Sequence, residues 1–291
     1  MRADHISHRV AAMEHDVPFW SLFMGEPRVF DNLLAYYDGR QLFLVGAALN
    51  NREPASDEIV QGVFDYATSR LGIEYFECWR PGAPPQVEVG EWRTGEYREV
   101  GVPMAVSLQG FTLEGSTKRL KQVRQAEHRG FHSEFGDDGH LRDDDIRLIQ
   151  DFIATKELAP FDISYTMWVG FFINSPYGRL IRIKRDGKTC ALGTISTFSA
   201  DRTIFVHTFV DRSERGASDM LYREVINIAI ERGSRHLDLG YSSTPALADY
   251  KSSWGATVIG ETNGGFFASA GHMPPSTFYH WPARLLVGER F

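Results

Sequence analysis

The chain has 291 residues, 43% of them hydrophobic and 24% charged, and a formal net charge of −7 at pH 7. This length and composition are typical of a globular protein with one large or two ordinary domains. The negative charge excludes a global basic field for nucleic acid, so any polyanion must bind at a local patch. Two cysteines, Cys78 and Cys190, are too few for a disulfide framework or a metal site of their own.

The start of the chain, Met1–Val17, carries charges of both signs and lacks the apolar stretch of a secretory signal. No apolar run approaches the roughly 20 residues that a membrane-spanning helix needs. We therefore expect a cytoplasmic protein without a membrane segment.

The first half of the chain predicts a β-hairpin, a helix and further strands. The hairpin covers 32–49 and turns at Asp38-Gly39. The helix begins at Ser56 or Asp57 and ends at Gly72. Its predicted buried face consists of Ile59, Val63, Tyr66 and Ala67. Two strands follow, at 73–79 and 102–108.

The second half repeats this order. A hairpin is predicted from strands at 190–198 and 202–210, after the turn Asp186-Gly187. A helix opening at Ser218-Asp219 follows and ends at Gly233, and a strand comes next at 236–239. The predicted inner face of this helix consists of Leu221, Val225, Ile228 and Ala229. The repetition favours an internal duplication of one α+β unit, although capping residues recur often enough for coincidence to remain open.

A basic helix is predicted between the halves, from Ser116 or Thr117 to Gly130. Its apolar face is Leu120, Val123 and Ala126. Its basic residues are Lys118, Arg119, Lys121, Arg124 and Arg129. They form either a phosphate-binding stripe or a solvated helix face.

The stretch Arg235–Ala256 combines features of a site. A strand ends in Asp238-Leu239-Gly240, a small-residue loop follows, and a short amphipathic segment presents Asp249, Tyr250 and Lys251. Loops at strand ends carry chemistry on a rigid scaffold, so Lys251 is well placed to enter a cleft. A surface lysine is the alternative.

Three features together resemble the Fem-type aminoacyltransferases and the C-terminal domain of lysyl-phosphatidylglycerol synthases. They are the basic helix that ends at Gly130, the helix-strand pair ending D-x-G at Gly240, and the segment Tyr250–Gly255. The family segment reads F-K-x-x-F-G, and both aromatic residues are exchanged here. The resemblance implies an α+β fold of tandem GNAT-like halves with mixed sheets flanked by helices. We place the halves at 1–115 and 116–291, with the active site in the second.

The resemblance also implies an activity, the transfer of an aminoacyl group from charged tRNA to the amine of a small-molecule acceptor. No cofactor, metal or DNA is expected. Coenzyme A is disfavoured because the pyrophosphate loop of GNAT proteins is incomplete at Arg212–Asp219, where Asp219 adds a carboxylate.

The implied roles fall into three groups. Catalysis is assigned to Lys251, as oxyanion stabiliser, with Asp249 and Asp238 gripping the amine or base; Asp238 could instead cap a turn. Substrate or donor contacts are assigned to Tyr241, Ser242, Tyr250 and Trp254. Phosphate contacts are assigned to Lys118, Arg119, Lys121, Arg124, Arg129, Arg212 and Arg215. The alternatives are a transferase using acyl-CoA or an acyl carrier, and a non-catalytic GNAT-like binding module.

Overall fold

The computed structural model describes residues 15–98, 101–136, 139–155 and 162–271. The N-terminal residues that argue against a secretory signal lie mostly outside these ranges. Within the ranges, no helix is both long and apolar enough to cross a membrane.

The first sheet has six strands in the order β1-β2-β3-β4-β13-β5. Its strands are β1 Glu26–Phe30, β2 Leu33–Tyr37, β3 Gln41–Ala48, β4 Tyr75–Pro81, β5 Arg93–Arg98 and β13 Asn263–Ser269. The strands β3 and β4 are parallel over Gln41–Val45 and Tyr75–Trp79, whereas all other neighbours are antiparallel.

The second sheet has seven strands in the order β12-β6-β11-β10-β9-β8-β7. Its strands are β6 Val102–Ser107, β7 His132–Phe135, β8 Gly178–Arg185, β9 Lys188–Ser196, β10 Arg202–Val210, β11 His236–Ser242 and β12 Thr257–Val258. Here the parallel pair is β10 and β11.

The sheets do not follow the predicted division at residue 115. The strand β6 precedes that point but pairs with β11 in the second sheet. The strand β13 comes from the far end of the chain but pairs with β4 and β5 in the first. Each sheet is therefore completed by a strand from the other half, and the domain boundary itself stays a prediction.

The helices form three layers around the two sheets. They are α1 Val17–Met24, α2 Asp57–Tyr66, α3 Thr117–His128, α4 Asp143–Thr155, α5 Asp162–Ile173, α6 Ala217–Glu231 and α7 Pro245–Ser252. The helices α1, α4 and α5 share a core with both sheets and so lie between them. The helix α2 covers the other face of the first sheet, and α3 and α6 cover the other face of the second.

The predicted order of hairpin, helix and strand occurs in both halves, as β2-β3-α2-β4 and β9-β10-α6-β11. Two local predictions were wrong. Ile59 and Tyr66 are exposed on α2, where Val60 and Phe64 are buried instead. The helix α6 begins at Ala217 after Gly216, and the Asp219 side chain does not cap it.

Candidate functional site

The parallel strands β10 and β11 pair over only three residues, Arg202–Ile204 with His236–Asp238. Beyond these residues β10 continues to Val210 and β11 to Ser242 without pairing to each other. A register irregularity between Phe205 and His207 bends β10 at the same point. We call this parting of β10 and β11 the strand fork.

Lys251 lies on the β11 side of the strand fork. Thr244 caps the N-terminus of α7 by accepting a hydrogen bond from the Leu247 N–H, and Lys251 lies in the last turn of that helix. Its side chain is only 3% exposed. The Nζ donates to the carbonyl oxygens of Leu239, Gly240 and Tyr241 at 2.7, 3.2 and 2.8 Å. These carbonyls lie where the pairing of β11 with β6 becomes irregular, between Asp238 and Tyr241, and Lys251 supplies the donors that buried carbonyls need.

Asp238 holds the base of the strand fork. Its Oδ1 accepts from the Gly240 N–H at 2.9 Å, and its Oδ2 accepts from Arg202 Nη1 at 3.2 Å. Gly240 has φ of 66°, a backbone conformation that favours glycine. The carboxylate therefore acts as the cap of this turn, the alternative left open by the sequence. Its predicted part in gripping the amine stays a prediction.

Lys251 is buried and all three of its N–H groups are already donated, so a contact with an oxyanion requires both access to the ammonium and the release of one carbonyl. The longest bond, to Gly240, is the one that costs least to release. Burial lowers the pKa of Lys251 to about 8, and the charge of Asp238 opposes this shift. At neutral pH most Lys251 side chains are therefore still charged ammonium groups.

The other residues predicted around Lys251 lie in different surroundings. The hydroxyl of Tyr241 accepts from Arg52 Nη2 at 2.9 Å and from Asn263 Nδ2 at 2.6 Å, which joins β11 to parts of the first half and to β13. Ser242 is buried and donates to the sulfur of Met104. Asp249 is exposed on α7.

Tyr250 and Trp254 pack against α6. The Tyr250 ring lies 4.3 Å from the Arg119 guanidinium carbon, and its hydroxyl donates to Asp219 at 3.2 Å. Trp254 is fully buried and stacked on Tyr222. A substrate would reach Trp254 only after repacking of this core, so its predicted substrate contact has no open surface.

The N-terminus of α6 is packed against α3 on one side, although Gly216 itself is only half-buried. Gly216 is its N-cap, with φ of 90°. A Cβ atom at that position would lie 2.9 Å from the Cβ of Ala126 and 3.0 Å from Nη2 of Arg129, both from the region of α3. In the first turn, the buried Asp219 accepts from Arg119 and Tyr250. Burial raises the pKa of Asp219, and the Arg119 charge opposes this.

The predicted basic stripe divides into two sets. Arg119 is directed inward, onto Asp219 and Ser253, so it is not on the solvated face. Arg129 donates to the carbonyls of Gln125 and Arg215. The remaining members are exposed and make no ion pair among the described residues. They are Lys118, Lys121 and Arg124, together with Arg212 and Arg215 from the loop before α6.

The corresponding place in the first sheet is closed. Beyond the paired part of β3 and β4, a Cβ at Gly46 would lie 2.8 Å from the carbonyl oxygen of Trp79. Arg80 donates to the carbonyls of Ala55, Ala83 and Pro84 and forms an ion pair with Asp57 at the start of α2. The candidate site therefore lies in the second sheet.

Three residues of the site were not predicted from the sequence. Arg202 binds Asp238, and Arg52 and Asn263 bind Tyr241. Arg202 begins the predicted strand at 202–210, but no pairing of that strand with the one that carries Asp238 was predicted. Arg52 and Asn263 lie 189 and 22 residues from Tyr241 and carry no local signal. Among the described residues, no group of three His, Cys, Asp or Glu could hold a metal ion.

No protein-family model matches the sequence, and neither does any curated protein. Solved structures do match. FemX covers 99% of this chain and 97% of its own, with a TM-score of 0.58 and 12% identity. The match to the C-terminal domain of a putative lysylphosphatidylglycerol synthetase from Agrobacterium fabrum covers 92% of this chain and 90% of that domain. Its TM-score is 0.51 and the identity is 12%. The match to a tandem GNAT protein from the clavulanic acid biosynthesis pathway covers 83% of this chain and 79% of that one. Its TM-score is 0.52 and the identity is 11%.

The chain has a tandem GNAT-like fold. The α+β class and the paired GNAT-like halves predicted from the sequence are thereby confirmed. Identities this low show a shared fold, and what the site does must be argued from its own residues.

The buried Lys251 ammonium predicts a pH-dependent stability. Between pH 8 and 10.5 the unfolded chain binds a proton that the folded chain has lost, so folding becomes more favourable as pH rises. Relative to Lys251→Met, the wild type should gain up to about 3 kcal/mol across this window. Urea unfolding of both proteins from pH 7 to 10.5 measures the difference. A difference that stays constant would show that the ammonium is not desolvated.

Proposed function

We propose that the protein is an acyltransferase that moves an aminoacyl group from aminoacyl-tRNA to the amine of a small-molecule acceptor. The fold shared with FemX and with the synthetase domain supports acyl transfer. The observation that carries the choice of donor is the packing of α3 against the N-terminus of α6. A pyrophosphate bound there would meet the Ala126 side chain and the Asp219 carboxylate, whereas a tRNA donor needs no pyrophosphate at this helix.

The reaction balances without a cofactor. The acceptor nitrogen attacks the ester carbonyl carbon, a C–N bond forms, and the carbonyl electrons move onto oxygen. When the intermediate collapses, the C–O bond to the terminal ribose breaks. The proton lost by the amine ends on the released ribose hydroxyl. The step that needs help from the protein is the stabilisation of the oxyanion.

Lys251 is our candidate for that stabilisation. In the proposed step its Nζ keeps the two short bonds to Leu239 and Tyr241 and turns its third N–H from Gly240 to the acyl oxygen. Such a contact strengthens only as the oxygen gains charge, so it favours the transition state over the bound donor. The charge of Asp238 helps to keep the ammonium protonated.

The donor surface in this proposal is the exposed side of α3 with Arg215. Lys118, Lys121 and Arg124 are exposed there, and α3 contacts α6 at Gly216. With an overall charge of −7, such a local patch is what a polyanion would require. A tRNA donor also implies a cytoplasmic location, which belongs to the proposal.

A transferase that uses acyl-CoA or an acyl carrier is the second candidate. A glycine in a left-handed conformation does precede α6, as a phosphate-binding loop requires. This enzyme would have to move α3 away from Gly216 on binding its donor. A GNAT-like module without catalysis is the third, and it would transfer nothing from any donor.

Transfer from charged tRNA tests the proposal and the role of Lys251. With total aminoacylated tRNA and a mixture of small amines, the wild type should release radiolabelled amino acid from tRNA as an amide. In single turnover, Lys251→Ala should be slower by about 10²–10³, the cost of one lost oxyanion donor, with nearly unchanged donor binding. Lys251→Arg should not restore the rate, because its planar fork places donors differently.

Two controls decide this experiment. RNase treatment of the donor should abolish product, and Ser252→Ala, a change at an exposed residue of α7 next to Lys251, is the matched control variant. Product formed from acyl-CoA but not from tRNA would overturn the choice of donor. A folded Lys251→Ala protein that transfers at the parental rate would return this lysine to a purely structural role.

The donor surface predicts a salt-dependent effect of charge reversal. Arg124→Glu should weaken tRNA binding and make the plot of log affinity against log salt shallower by about one unit. Arg70→Glu is the matched control, because Arg70 is exposed in the first half, far along the chain from α3. Filter binding across a salt series measures both. Equal effects of the two changes would show that only net charge matters.

A further inference from the structure

A cleft of about 240 Å³ lies on the opposite face of the second sheet from α3 and α6. It is formed by α4, by the start of β9 and by the loop that follows β10. Its apolar wall includes Leu148, Phe152 and Val210, and charged side chains surround this wall. Neither the strand fork nor the proposed donor surface includes this cleft.

Two of the carboxylates in the cleft are already neutralised by neighbours. Asp144 forms an ion pair with Lys184 Nζ at 3.8 Å, and it accepts hydrogen bonds from the Thr189 N–H at 2.9 Å and from the Thr189 hydroxyl at 2.6 Å. Asp211 accepts from Lys188 Nζ at 3.0 Å and from the N–H and hydroxyl of Ser213. The bond to Asp211 also compensates the charge of Lys188.

Three charged groups in the cleft are left over. The side chains of Arg147, Asp151 and Arg212 make no hydrogen bond or ion pair with any other residue that the structure describes. Arg147 and Arg212 come from opposite walls, α4 and the loop after β10, and line the same space. The uncompensated charge is therefore two guanidinium groups against one carboxylate. Guanidinium groups bind phosphate and carboxylate through paired N–H donors.

We propose that this cleft binds a small organic anion, a phosphate or carboxylate group held by Arg147 and Arg212 with an apolar body on Leu148 and Phe152. The volume is below the range of drug-sized pockets and suits a ligand of about one ring and its anionic group. Asp151 repels the anion and so lowers its affinity. The site stands whether or not tRNA is the donor.

Calorimetric titration of the whole protein tests the site, with phenyl phosphate and benzoate as probes. Both carry one ring, so their relative affinity assigns the preferred anion. We expect phenyl phosphate or benzoate to bind with a millimolar or tighter dissociation constant. Arg147→Gln and Arg212→Gln should each weaken binding by about tenfold or more. Asp151→Asn should tighten it, because a like charge is removed.

Arg124→Gln is the control that separates this site from the donor surface. It should weaken tRNA binding and leave the ring probes unaffected, whereas Arg147→Gln should do the reverse. The proposal is overturned when neither probe binds at millimolar concentration. It is equally overturned when the probes bind but neither Arg147→Gln nor Arg212→Gln changes their affinity.

Discussion

The buried ammonium of Lys251 is the contact on which the candidate site depends. A strand whose pairing becomes irregular, as that of β11 with β6 does between Asp238 and Tyr241, leaves carbonyl oxygens without backbone partners, and buried carbonyls without donors are costly. Lys251 donates to three such carbonyls on β11, and Asp238 binds the turn at Gly240 from the other side. Lys251 therefore satisfies three carbonyls of β11 just beyond its paired part. Any acyl chemistry there uses a lysine that is already part of the scaffold.

The exchange of strands between the sheets ties this site to the whole chain. The strand β6 pairs with β11 at the strand fork, and β13, which completes the first sheet, supplies Asn263 to the Tyr241 hydroxyl. Arg52 reaches the same hydroxyl from the first half. One half has kept an open strand fork, whereas Arg80 closes the equivalent place in the other.

Local signals in the sequence predicted much of the fold. The Asp-Gly turns and the stop glycines placed the hairpins and helices close to their observed bounds, because turns and helix ends depend on neighbouring residues. The prediction of the inner face of α2 was wrong, because Ile59 and Tyr66 fit the helical spacing as well as Val60 and Phe64, which are the buried residues. The inward course of Arg119 and the burial of Lys251 and Trp254 depend on residues distant in sequence. Charge pattern and spacing carry no information on such contacts.

In the proposed reaction an aminoacyl donor occupies the strand fork while Gly216 stays packed against α3. A crystal structure with a stable amide analogue of the aminoacylated 3′-terminal adenosine of tRNA tests it most directly. We predict that the acyl carbonyl lies between β10 and β11, beyond Ile204 and Asp238, with its oxygen within hydrogen-bonding distance of Lys251 Nζ. Ala126 should remain against Gly216. An analogue bound elsewhere, or α3 displaced from the N-terminus of α6, would contradict the account.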